Sequence, residues 1–250
     1  MNVTDRWSLD KAGVQVSESF QRARTDQQRD QRRHEILATT RQMLTGRRVA
    51  DVSLNEIARQ VGLAKSNVLR YFGSREAILL VLLALEYDAW VDEVASAMPQ
   101  ATDPDPVERA AGVLASTAAA RPLLCELLTA APTVLEHNVT PEEVITFKLA
   151  VQASMQRLLA SLATELGPWD SARQGIFLGA LHALITGLWA LAHPSPALTE
   201  AMTREPRIQG LPSGMERDTH EALATLIAGL RVRGPHPTPP RQPYSPTVPD

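Results

Sequence analysis

Apolar residues recur at helical spacing along most of the chain, and no stretch sustains the period-two alternation of a half-buried strand. Ile36, Leu37, Thr40, Met43 and Leu44 form one stripe and predict a helix over about 29–45. Leu54, Ile57, Ala58 and Val61 form a second, opened by Ser53 with Glu56 three residues on, the reciprocal capping pair that fixes a helix start. Gly62 supplies a left-handed residue on which that helix can stop without a Cβ clash. A third helix is predicted from near Ala64 to Phe72. Val68 and Phe72 fall on its inner side, and Ser66, Asn67 and Arg70 on its outer side. Ser74 caps a fourth, which runs to about Met98 and is stopped by Pro99.

The remaining signals are helical as well. Asp105-Pro106-Val107-Glu108 supplies a cap, an N1 proline and an early acid, and Thr140-Pro141-Glu142-Glu143 repeats the arrangement. The helix opened there should reach Gly167, with Pro168 beyond it. Asp170 or Ser171 opens another that ends before Pro194, and a last helix is expected near 216–231. The chain therefore reads as all-α, without internal repeats.

Two short helices joined by a glycine turn, the second buried on one side and carrying hydrogen-bonding and basic groups on the other, are what a recognition helix in a DNA groove requires. The segments EILATTRQML (35–44), SLNEIARQVGLAKS (53–66) and RYFGSREAILLVLL (70–83) resemble the DNA-binding domain of the tetracycline-repressor (TetR) family of bacterial transcriptional regulators. The chain departs from the family pattern between its first two helices, where Arg48 and Val49 stand in place of Gly followed by Tyr or Phe, and at Leu69, where Tyr is common. The resemblance implies an N-terminal three-helix, helix-turn-helix DNA-binding domain over 29–90 and a C-terminal helical ligand-binding and dimerisation domain over 91–232.

Charge alters the picture only through its distribution. The net charge of −3 argues by itself against a nucleic-acid binder. Residues 21–75, however, hold twelve Arg or Lys against five acids, so this stretch carries +7 and the remainder −10. Cations gathered on the segment with the helix-turn-helix suit phosphate binding, although a solvated basic surface gives the same count. Residues 1–28 read as a flexible basic arm; Arg22, Arg24 and Arg29 are placed to reach a minor groove or backbone, and a plain disordered tail is the simpler account. Residues 233–250 form a Pro-rich tail expected to be disordered.

Phosphate contacts position a protein on DNA and base contacts specify sequence. Ser53 at a helix start, Lys65 and Tyr71 on the flanks of the third helix, and Arg75 beside the next helix start are the phosphate candidates. Arg75 is assigned from the resemblance. Ser66, Asn67 and Arg70 are the base-reading candidates, since Arg pairs well with guanine and Asn with adenine. Taken singly, Tyr71 packing on Phe72 and a solvated Lys65 would explain those residues as well.

One recognition helix spans few base pairs, so a homodimer on a palindromic double-stranded operator is expected. Gly175, Gly179, Ala183 and Gly187 make a small-residue strip suited to close helix approach, either across a dimer interface or inside one subunit. The resemblance further implies an effector pocket among the middle helices, with the fourth helix relaying occupancy to the DNA-binding domain. Trp90, Phe147, Met155, Phe177, His182 and Trp189 are its candidate lining, and ordinary core membership competes for each. With only Arg157 and Arg173 as cations over 149–192, such a pocket suits an apolar or weakly polar small molecule. The implied regulator is a repressor released by that ligand.

Other chemistries find little support. Cys125 is the single cysteine and lies in an apolar stretch, LLCELL, which suits a buried thiol rather than a nucleophile paired with His137. His182 and His193 are three helical turns apart, too far to share a metal, so no metal or cofactor is expected. Motifs for nucleotide-binding loops, hydrolase elbows and zinc proteases are missing, and the chain is not read as an enzyme. No uninterrupted apolar run reaches the length of a membrane span, and a cytoplasmic location is expected. The competing reading is a helical ligand-sensing or partner-binding protein that does not engage DNA.

Overall fold

The computed structural model describes residues 27–208 and 214–233. Among these residues there is no strand, and all regular structure is helical. The helices are α1 (27–43), α2 (Leu54–Val61), α3 (Lys65–Phe72), α4 (Arg75–Ala97), α5 (Pro106–Ala119), α6 (Pro122–Ala130), α7 (Pro141–Leu166), α8 (Ser171–Ala192), α9 (Pro196–Arg204) and α10 (Met215–Val232). Arg22, Arg24 and the tail from 234 onward lie outside the described residues.

The capping signals act where the sequence puts them. Ser53 Oγ accepts from the Glu56 amide at 3.2 Å while Glu56 Oε2 accepts from the Ser53 amide at 2.9 Å. Thr140 and Glu143 make the same exchange at the start of α7. Asp105 Oδ1 accepts from Val107 N, Asp170 Oδ1 from Arg173 N, and Ser74 Oγ from Ala77 N. Gly62 is left-handed at φ 72°, and the Leu63 amide returns to Ala58 O at 2.9 Å, which closes α2 in a Schellman arrangement.

Three sequence expectations need correction. The first helix occupies 27–43 rather than 29–45, because Gly46 (φ 71°) turns the chain and the Arg47 amide returns to Leu44 O. Residues 27 and 28, assigned to the arm, are helical, and so is Arg29. Helix α9 had no counterpart in the sequence reading, although Ser195 and Pro196 supply its cap and N1 proline; it is nine residues long and none of them is buried.

The described residues form two compact units, 27–85 with 130–147, and 86–129 with 148–208 and 214–233. This differs from a single cut near residue 90, because the stretch from Ala130 through the first turns of α7 groups with the amino-terminal helices. In the first unit the core is built from Ile36, Leu44, Val49, Val52, Ile57, Val68, Phe72 and the inner face of early α4. In the second, α10 packs against α5 and α8, and Leu114, Leu124, Leu158, Phe177, Leu181, Leu223 and Ile227 are buried. Ion pairs link polar groups there: Arg121 bridges the buried Glu86 and the half-buried Glu93, and the half-buried Arg109 meets Glu165 at 2.7 Å.

Candidate nucleic-acid interface

Helix α3 is fixed by two anchors and a turn at each end. Val68 is 0% and Phe72 4% exposed, whereas Lys65, Ser66, Asn67 and Arg70 are all exposed. Gly62 ends α2 and Gly73 (φ 66°) ends α3, each in a backbone conformation that a side-chain-bearing residue rarely adopts. The turn after α3 is also crowded: a Cβ on Gly73 would stand 2.9 Å from Glu143 Oε1. The outer face of α3 thus projects three polar side chains from a rigid base.

Arg33, on α1, secures the carboxyl-terminal end of this helix. Its Cζ lies 4.1 Å from the centroid of the Phe72 ring, and Nη1 donates to the Tyr71 carbonyl. Burial lowers the Arg33 pKa, with Arg29 nearby adding to the effect. The sequence reading did not single out Arg33. One polar position on an apolar stripe carries no signal of the aromatic it will cover.

The phosphate candidates are placed differently from one another. Lys65 projects into solvent at the start of α3, and Tyr71 is half-buried. The Ser53 hydroxyl and amide both donate to Glu56 Oε2 at 2.9 Å, so this helix start already faces a carboxylate. Those hydrogen bonds hold the Glu56 pKa below the usual carboxylate range. Arg75 lies along the protein: Nη2 donates to Val49 O at 3.1 Å, and Nε is 3.8 Å from Glu76 Oε1. Val49, at the place of a common aromatic, is 2% exposed and sits in a 3-10 turn over Val49–Asp51, so the departure is absorbed by a smaller buried side chain.

Beside α3 runs a groove of about 890 Å³. Gln28, Arg29, Gln31, Arg32 and Glu35 of α1 form one wall, and Leu63, Asn67, Arg70 and Tyr71 the other. Two base-reading candidates and one phosphate candidate therefore border a surface to which α1 adds two arginines.

In the second unit, the proposed pocket residues are distributed among several contacts. Trp90 is fully buried and donates Nε1 to Thr117 Oγ1 at 2.9 Å. Tyr87 meets Trp90 edge-on at 5.4 Å and stacks on His182 at 5.6 Å, and its buried hydroxyl has no hydrogen-bond partner among the described residues. His182 Nδ1 donates to Leu178 O at 2.6 Å, and burial lowers its pKa. Phe177 packs on Trp169, Trp189 donates to Glu126 Oε2, and Met155 is half-buried. Phe147 is buried but belongs to the first unit. Gly175, Gly179, Ala183 and Gly187 are exposed, and a Cβ added at any of the three glycines would meet nothing within 4 Å. No group of three or more His, Cys, Asp or Glu suited to a metal occurs among the described residues.

Comparisons with known proteins match this arrangement. Residues 36–82 match the model for bacterial regulatory proteins of the tetR family, and residues 84–234 match the tetracyclin repressor-like C-terminal domain. The HTH-type transcriptional regulator EthR of Mycobacterium tuberculosis is 41% identical over 54 residues, which span 22% of this chain and 25% of that protein. The match thus covers about a quarter of the curated relative. Among solved structures, Thermus thermophilus FadR, a TetR-family repressor in complex with lauroyl-CoA, superimposes with TM-score 0.53 at 16% identity, covering 83% of this chain and 98% of that one. A TetR regulator from Rhodococcus sp. RHA1 gives TM-score 0.50 at 17% identity, covering 81% and 97%. These likenesses show a shared fold. The two domain matches extend over most of the sequence, and the chain belongs to the tetR family of bacterial regulatory proteins.

Proposed function

We propose that the chain is a sequence-specific DNA-binding transcriptional regulator, a homodimeric repressor that leaves a palindromic operator when a small apolar or weakly polar effector binds. The observation that carries the reading is the two-sided α3: Val68 and Phe72 seated in the core, and Ser66, Asn67 and Arg70 facing solvent beside a cationic groove. Asn67 and Arg70 read base edges in the major groove, and Lys65 and Tyr71 hold flanking phosphates. Ser53 and Arg75 are also proposed as phosphate contacts, each after exchanging a present protein partner for the backbone.

Two features of the second unit support the rest. Helix α8 is long and strongly apolar, with a mean hydropathy of 1.8 over an 18-residue window, yet only 22% of that window is buried within one chain. Its open glycine strip, flanked by Ile176 (47% exposed) and Leu191 (53%), is a surface for a second copy. The Tyr87 hydroxyl is buried without a hydrogen-bond partner among the described residues, on a ring packed against His182 and Trp90, and is proposed as the polar anchor that a weakly polar effector requires. Effector binding lowers DNA affinity by favouring a conformation with badly spaced recognition helices.

The test is a gel shift with the promoter region beside the chain's own gene, titrated with salt. A shifted complex with a log–log salt slope of several units is expected. Absence of any shift at low salt would reject DNA regulation.

A further inference from the structure

We propose that the first turns of α1 form a second arm of the DNA interface, in which Arg29 and Arg32 hold phosphates flanking the bases read from α3, with Glu35 restraining Arg32. The proposal rests on the DNA-binding reading above and extends it to a helix outside the helix-turn-helix.

The groove next to α3 is bordered by Arg29, Arg32 and Glu35 from one helix and by Asn67 and Arg70 from the other. These five side chains bring three cations and one carboxylate to a single concave, solvent-open surface. A duplex presenting base edges to Asn67 and Arg70 must also bring its sugar–phosphate rail along this flank, because base edges lie recessed between two rails. The arginines stand on a helix rather than on a loose arm, so less conformational freedom is lost when they engage a phosphate. The position of α1 is itself set from the other side, where Arg33 grips Phe72 and the Tyr71 carbonyl.

The two arginines have different roles. Arg32 Nη1 meets Glu35 Oε2 at 2.6 Å, with both side chains about half-exposed. The carboxylate neutralises part of that charge and holds the guanidinium toward its own helix. Arg29 is exposed and supplies the unscreened cation. Removing Arg29 and releasing Arg32 therefore act in opposite directions, an outcome that damage to the fold would not produce.

The experiment uses the full chain and a labelled duplex of the promoter region beside its own gene. Fluorescence anisotropy follows binding across a salt series for wild type, Arg29→Ala, Glu35→Gln and, as a control from the second unit, Arg204→Ala. Arg29→Ala should flatten the log–log salt slope by about 0.9 per protomer, the share of one phosphate contact. Glu35→Gln should steepen it and tighten binding at low salt. Arg204→Ala should match wild type, and methylphosphonate substitution at the flanking phosphates should abolish the difference between wild type and Arg29→Ala. Wild-type slopes in both groove variants would overturn this inference while leaving the DNA-binding reading intact. A wild-type protein that fails to bind the duplex would overturn both.

Discussion

The Arg33 guanidinium covers one face of Phe72, 4.1 Å from the ring centroid, and caps the Tyr71 carbonyl at the end of α3. The planar cation satisfies a ring face and a carbonyl in one geometry, which an ammonium cannot reproduce. Arg33→Lys should therefore cost about 1 kcal/mol of stability and weaken operator binding further, because α3 is then less firmly oriented. Urea denaturation together with anisotropy on the same variant checks both parts. A variant with unaltered stability and operator affinity would show that Arg33 is incidental.

Much of the local structure around the candidate site is legible in the sequence because it is built from local rules. The capping pair at Ser53 and Glu56, the left-handed Gly62 and the alternation of Val68 and Phe72 with Asn67 and Arg70 all act within one or two helical turns. The placement of Arg33, Arg29 and Arg32 depends on α1 lying beside α3, more than thirty residues later, and spacing along one helix does not encode that juxtaposition. For the same reason the sequence does not group the stretch from Ala130 to Phe147 with the amino-terminal helices. Nor does it tell whether the α8 glycines are covered within the subunit; the structure leaves them open.

Arg70 and Lys65 should separate specificity from affinity. Both are exposed on α3, but Arg70 borders the groove with Asn67 while Lys65 sits at the helix start. Arg70→Ala should lose about 1–3 kcal/mol of discrimination at one base pair of each half-site. Lys65→Ala should weaken binding evenly across sequences and reduce the salt slope by about one unit. Competition binding against single-base operator variants reads the difference. Indifference of the cognate site to both substitutions would remove α3 from the interface.

Glu56 confers a pH dependence on α2. Its carboxylate accepts from the amide and hydroxyl of Ser53, and these bonds depress its pKa in the folded state. A depressed carboxylate contributes stability that is present above the unfolded pKa and is lost as pH falls through the folded value. Wild type should thus lose an acid-side increment, below the ordinary carboxylate range, that Glu56→Gln lacks. Thermal melts between neutral pH and about pH 3 measure it. Parallel curves for the two proteins would mean that the cap does not titrate.

The open strip on α8 predicts a dimer sensitive to bulk at one residue. Because a Cβ at Gly179 meets nothing within 4 Å, Gly179→Leu should fold as a protomer, and any defect should appear in association. Sedimentation should show a wild-type dimer and a monomeric variant at the same concentration, with the variant's operator affinity reduced through loss of one half-site. A fully dimeric variant at low micromolar concentration would place the interface elsewhere.

Tyr87 should behave unlike an ordinary buried aromatic. Its ring packs edge-on to Trp90 and parallel to His182, so Tyr87→Phe preserves those contacts. What changes is the hydroxyl, which is buried without a partner among the described residues, and burial also drives its pKa strongly upward. An unpaired buried hydroxyl costs about 1–3 kcal/mol, so the ligand-free variant should be more stable than wild type by up to that amount. If the hydroxyl anchors the effector, the same substitution should leave operator binding intact and blunt release by the effector, because the pairing gained on binding is gone. Chemical denaturation tests the first half now, and effector-induced dissociation tests the second once a ligand screen provides one. A less stable Tyr87→Phe protein would show that the hydroxyl already has a partner in solution, and the polar anchor would have to be sought elsewhere among these helices.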